Sequence, residues 1–208
     1  MNRNYLLGAL LVIPMMSAPF GLKTTLKKGD FTAIKDESAV RLEFTYDRMS
    51  VGKLSEEDYI NKKRKEHNEK EAGKGDEWAG KWVAARANVY EPQFEELLNE
   101  QLAKHESNLR AGRDQADARY FLRVHTTDTE PGWNIGISWA PGYVTASITL
   151  HESGAPDTAL GEVLIDRAPA RDAMGYDFDA SGPIGEGYAK LGKELGAWLV
   201  KTEFGRKN

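Results

Sequence analysis

A chain of 208 residues with 40% hydrophobic and 29% charged side chains has the make-up of one folded domain with a real core, not of a disordered or fibrous chain. Its formal charge of −4 gives no general attraction for nucleic acid or anionic lipid. Cysteine is absent, which excludes disulfides, thiol nucleophiles, zinc–thiolate sites, iron–sulfur clusters and a lipidated cysteine.

The chain opens on Asn2, Arg3 and Asn4, a short polar and positive start. Tyr5 to Met16 is then almost wholly apolar, and the small residues Ser17 and Ala18 follow. Charge, short apolar run and small residues in that order spell a secretory signal peptide over 1–18, with cleavage after Ala18. The run is shorter than the roughly 20 residues of a membrane span. The competing reading is an uncleaved, buried N-terminal helix. On the export reading the body is a single domain over 19–208 whose charge, without Arg3, is −5. It is then soluble in the periplasm or released, and not stably anchored to a membrane.

After a basic leader (Lys23, Lys27, Lys28), Val40, Leu42, Phe44 and Tyr46 alternate with Arg41, Glu43 and Thr45, predicting a half-buried strand over 40–47. A helical insert follows at about 55–90. Ser55 as N-cap with Asp58 in the capping-box position starts its first helix, which runs to about Glu71. Lys62 to Lys65 sits among acids at helical spacing and reads as a solvated face. Asp76 is positioned to cap a second helix, on which Trp78, Trp82, Ala85 and Val89 share one face and Arg86 can lie over Trp82. Two tryptophans one turn apart suit either a sugar platform or a buried stripe, and burial is the commoner fate. Glu91-Pro92 restarts or kinks the helix, and Phe94, Leu97, Leu98, Leu102 and His105 continue an apolar stripe.

The second half changes character. Ala118 to His125, Trp133 to Trp139, Val144 to Leu150 and Leu160 to Ile165 are four alternating runs joined by short Gly/Pro/Asp turns, which predicts an antiparallel meander. A last helix spans Pro183 to about Thr202 with Ile184, Tyr188, Leu191, Leu195 and Trp198 as its stripe. Ala189, Gly192 and Gly196 lie beside that stripe and let the helix sit close on the sheet. The expected fold is α+β: a mixed, largely antiparallel sheet of about five strands. Two or more helices pack on it, the closing helix and the one from Glu91 to Ser107 covering one face.

Candidate chemistry is sparse. Asp177-Phe178-Asp179-Ala180-Ser181-Gly182 copies the first six positions of a calcium loop, but the twelfth is Tyr188 instead of a bidentate Glu. Its other reading is an Asp/Ser-rich start of the last helix, with Pro183 in the first turn. Asp177, Asp179 and Ser181 are therefore a weak calcium candidate, and no other metal and no cofactor is expected. The stretch from Asp166 to Gly182 lacks periodicity and is a candidate partner surface, bringing Tyr176 and Phe178 into the set of binding candidates. Trp133, Trp139 and Tyr143 cluster around one hairpin, where exposed aromatics suit glycan or protein recognition. Alternation puts Trp133 and Trp139 on the face of Ile135 and Ile137, which favours burial. His125 and His151, with Asp128, Glu130 and Glu152 near in sequence, offer a His/carboxylate metal or acid–base site. Strand-end histidines facing water are the simpler alternative.

Val124 to Thr129, Gly142 to Leu150, Ser153 to Val163 and Gly187 to Leu199 together carry a strand, a hairpin rich in small residues, a turn, a further strand and a closing helix. This half of the chain resembles the amino-terminal domain of TolB and the lipoproteins that activate penicillin-binding proteins. The resemblance implies a mixed sheet with helices on it, and action by binding other envelope components instead of by catalysis. The chain departs from the lipoproteins in lacking the lipidated cysteine, and it carries over no functional residue. The expected function is an exported, non-catalytic accessory or binding protein of a bacterial envelope, whose partner is another envelope protein or a glycan. The rival is a small exported hydrolase or metal-dependent enzyme using His125, His151 and nearby carboxylates.

Overall fold

A computed structural model of the protein describes residues 22–134, 139–170 and 181–205. The leader at 1–18 and Tyr176, Asp177, Phe178 and Asp179 lie outside the described residues. In chain order the elements are β1 (Lys23–Gly29), a 3-10 turn (Thr32–Ile34), β2 (Ala39–Thr45), β3 (Ser50–Val51), β4 (Leu54–Ser55), α1 (Glu56–Asn68) and α2 (Lys74–Ala85). A π-helical turn (Arg86–Tyr90) leads into α3 (Glu91–Lys104), followed by β5 (Arg110–Gly112), β6 (Tyr120–Glu130), β7 (Trp133–Asn134), β8 (Trp139–Ala140), β9 (Tyr143–Glu152) and β10 (Ala159–Pro169). The chain closes with α4 (Ser181–Trp198) and a second π-helical turn (Leu199–Phe204).

The fold is α+β, built on an open mixed sheet of eight strands whose main order is β1-β10-β9-β6-β2-β5, with the small β3–β4 pair attached to β6. The meander β6-β9-β10-β1 is antiparallel, whereas β2 lies parallel to both β6 and β5. Eight strands replace the five expected because three short pieces hold too few residues to show a period, and because β1 hides its alternation behind lysines. The run from Trp133 to Trp139 is not a strand of this sheet. Its two ends pair with each other as a separate ribbon, Trp133 opposite Ala140 and Asn134 opposite Trp139. The two tryptophan positions therefore fall on alternate faces of that ribbon, not on one strand face.

Alternation along β2, β6, β9 and β10 sends Leu42, Leu122, Val124, Ile148, Leu150, Val163 and Ile165 to one face, each 3% exposed or less. Helices α3 and α4 cover that face. Phe94 of α3 meets Phe44 of β2 edge-on, centroids 5.4 Å apart. Gly192 and Gly196 do not face the sheet, as the stripe suggested; they face α3. A Cβ at Gly192 would lie 2.1 Å from the Phe94 carbonyl oxygen, and one at Gly196 3.0 Å from that of Leu98. The two helix backbones approach too closely for any side chain, which offsets the poor helix propensity of glycine here.

At the start of α1 the Asp58 N–H donates to Ser55 Oγ at 3.1 Å, and the Ser55 hydroxyl donates in turn to the Asp58 carboxylate at 2.7 Å. Asp76 does not cap α2. That helix begins three residues earlier, from Gly73 at φ +87°, a left-handed conformation that favours glycine.

Candidate functional site

Two arms leave the same end of the sheet. β3 pairs with the last part of β6, Ser50 opposite Asp128 and Val51 opposite Thr129, and through β4 it launches the α1–α2 hairpin. Strands β6 and β9 run out at the Glu130–Tyr143 pair, and the chain between them continues as the β7–β8 ribbon. The ribbon's base is tight. A Cβ at Gly132, which has φ +73°, would lie 2.6 Å from the Gly142 nitrogen. Beside it the Ala170 N–H donates to the Gly142 carbonyl at 2.9 Å, so β10 ends against the ribbon.

Between the arms lies a polar floor. The Ser50 hydroxyl donates to Asp128 Oδ1 at 2.8 Å, and the Tyr143 phenol hydrogen-bonds to the same carboxylate. The Arg167 guanidinium stands over the Tyr143 ring, 5.2 Å from its centroid. Burial, then the Asp128 contact, pushes the Tyr143 phenol up to about 12. Glu130 accepts from the Gly132 N–H at 3.2 Å, which ties the floor to the ribbon. Its carboxyl lies above the usual range, first through burial and then through the neighbouring Asp128 charge, against the lowering effect of the Gly132 bond. Tyr59 of α1 is raised to about 12 by burial and by Glu130 and Glu66.

The helical arm is joined to the body by polar groups. Trp82 Nε1 donates to Glu56 at 2.8 Å, and Arg86 Nη2 donates to both oxygens of the same carboxylate. The Arg86 guanidinium stacks on Tyr46 at 4.2 Å, not on Trp82 as its spacing suggested. Arg86 opens the π-helical turn and still meets Glu56 beside Trp82, while Tyr90 at the turn's end stacks on Tyr188. Tyr46 donates to Glu91 at 3.2 Å, and burial holds its phenol far above the ordinary value. Behind it Tyr188 stacks on Tyr90, centroids 4.9 Å apart, and shares a 2.6 Å hydrogen bond with Thr126.

Trp78 and Trp82 are not an open sugar platform. His67 stacks on Trp78 at 5.7 Å, Trp78 on Trp82 at 5.5 Å, and Tyr59 closes on Trp82 at 5.1 Å. Trp82 is 6% exposed. The four rings form a ladder that clasps α1 to α2.

The histidines lie on the sheet's other face and do not converge. His151 stands opposite Phe121 and His125 opposite Ser147, four residues apart along β6, or about 13 Å. A single ion bound at about 2 Å by both is excluded. Among the described residues no group of three His, Cys, Asp or Glu side chains is placed to hold a metal. His125 Nδ1 hydrogen-bonds Thr45 at 2.9 Å, and His151 Nε2 bonds Thr149 at 2.8 Å while its ring stacks on Phe121 at 4.8 Å. Burial, then the Arg123 charge, pushes His151 below its ordinary value. Arg41 and Arg123 lie over Phe121, and Arg123 pairs with Glu43 at 3.1 Å. This face satisfies itself across the strands.

Of the predicted binding residues, Tyr143 stands on the floor and Trp133 and Trp139 belong to the ribbon. Ser181 opens α4, with Pro183 in its first turn. Sequence reasoning missed Glu56, which follows the Ser55 cap, and Arg167, a mid-strand residue at φ +53°. Asp128 and Glu130 were visible only as carboxylates near His125. Neither a family model nor a curated protein matches the chain. Two solved structures of PelC dodecamers from Paraburkholderia phytofirmans align with it at 9% and 10% identity and a TM-score of 0.33 each. They cover 83% and 81% of this chain and 99% and 97% of theirs. At those values the likeness carries no argument.

Proposed function

We propose that the protein is an exported, non-catalytic accessory or binding protein of a bacterial envelope, and that it recognises another envelope protein or a glycan with the sheet end from which both arms leave. The observation that carries this reading is the convergence of the two arms on the Asp128–Glu130–Tyr143–Arg167 floor. The signal-like leader and the resemblance of the second half to envelope α/β domains support the place of action. No helix among the described residues is long and apolar enough to cross a membrane. The floor offers carboxylate, phenol and guanidinium groups, a set that suits peptide or sugar hydroxyl recognition.

The test is affinity capture of the tagged, full-length protein from gently cross-linked host cells, run beside two variants. In one, residues 131–142 are replaced by an Asn-Gly turn joining β6 directly to β9; in the other, His125→Ala alters the opposite face. The reading expects one envelope component in stoichiometric amount with the wild type and with His125→Ala, and its loss with the shortened ribbon. Equal recovery with the shortened ribbon contradicts the placement. A hydrolytic activity that His125→Ala abolishes contradicts the non-catalytic reading.

A further inference from the structure

The two edges of the sheet are treated in opposite ways. At β5, Asn99 of α3 closes the edge with two main-chain bonds to Ala111: its Nδ2 donates to the carbonyl at 2.7 Å and its Oδ1 accepts from the N–H at 3.0 Å. These are the bonds that a neighbouring strand makes. At β1, β10 is the sole sheet neighbour among the described residues, and the outer row of N–H and C=O groups has no strand partner. That open edge is nevertheless held firmly. Thr24 donates to Glu194 of α4 at 2.6 Å, and just past the strand the Phe31 N–H donates to the fully buried Glu203 at 3.0 Å.

The charges along β1 are also left over. Lys23 stands opposite Asp166 and Lys28 opposite Glu162. Those carboxylates instead accept from hydroxyls of β9, Thr145 at 3.1 Å and Ser147 at 2.9 Å. Lys23, Lys27 and Lys28 are all exposed and make no ion pair among the described residues. We infer that the outer edge of β1 is a strand-addition site for an acidic, extended segment of another protein. An unpaired edge is a template for a further strand, and lysines on it repel a second copy of the same strand. A carboxylate of the incoming segment meets the Lys23 ammonium within the regular register, and further carboxylates meet those of Lys27 and Lys28 at the bulge. The bulge between Leu26 and Lys28 confines regular pairing to Lys23–Leu26, so the contact is short. The site lies apart from both arms and does not depend on the function proposed above.

The probe is an eight-residue peptide of alternating Thr and Glu, titrated at low salt into the 15N-labelled full-length protein. Three outcomes are expected together. Amides of Lys23–Leu26 exchange more slowly with solvent when peptide is present. The same peptide N-methylated at alternate residues does not bind. The charge-reversed variant K23E/K27E/K28E binds the Thr-Glu peptide at least about tenfold more weakly and gains binding of a Thr-Lys peptide. Equal binding of the N-methylated peptide would reveal a mere charge patch and overturn the inference, as would exchange that slows elsewhere but not in β1. Absence of binding at millimolar peptide overturns it as well. The gain of Thr-Lys binding guards against a variant that simply misfolds.

Discussion

The body of the protein and its helical arm are held by different forces. In the body, α3 and α4 meet through backbones brought together by Gly192 and Gly196, over a sheet face of fully buried aliphatic residues. In the arm, α1 buries no residue completely; four packed rings clasp it to α2, and Glu56, Arg86 and Trp82 fasten the pair to Tyr46. Apolar packing is non-directional and cumulative, whereas a polar joint depends on a few groups each finding its partner. The arm should therefore loosen on its own while the body stays folded, the behaviour expected of a recognition element.

The largest effect that this contrast predicts is at Gly192. Gly192→Val drives a side chain into the Phe94 carbonyl and should cost more than about 4 kcal/mol, enough to leave no cooperative urea transition. Leu122→Ala removes a fully buried sheet side chain and should lower unfolding free energy by about 2–5 kcal/mol with an unchanged denaturant slope. Arg86→Met strands the Glu56 carboxylate at the joint and should cost about 1–3 kcal/mol, read as faster amide exchange across 56–85 but not in β6 or β9. Adding Glu56→Gln to it should recover part of that loss. Equal acceleration throughout the chain would erase the distinction between arm and body.

The smallest effect is on the sheet's other face, at His151. The folded-state pKa of His151 lies below that of the unfolded chain. The stability it contributes is therefore present at neutral pH and fades as the pH falls from about 6.5 through the folded value. His151→Gln should flatten this part of the stability-against-pH curve by about 1 kcal/mol or less. A steep loss in His151→Gln at pH 7.5 would assign this face a larger structural role than its cross-strand hydrogen bonds imply.

Period and capping made much of this legible in the residues. The alternation at 40–47 and in the meander marked β2, β6, β9 and β10, and Ser55 with Asp58 marked the start of α1. What stayed hidden depends on who pairs with whom. Nothing local says that β2 runs parallel to β6, or that Gly192 faces a helix instead of a sheet. A two-residue strand such as β3 has no period to read. The floor of the site was illegible for the same reason: Ser50, Asp128, Tyr143 and Arg167 are far apart in the chain, and the β3–β6 and β6–β9 registers bring them together. The histidines were the most visible chemistry and turned out to be members of cross-strand pairs.

The central claim, that the arm end does the recognising, is tested most directly by photo-cross-linking in living host cells. A photoreactive residue is placed at Val83, 48% exposed on α2, and in a separate protein at Asp157, in the turn at the opposite end of the sheet. The account predicts one discrete envelope adduct from position 83 and none from position 157. An adduct from position 157 with nothing at 83 would contradict it.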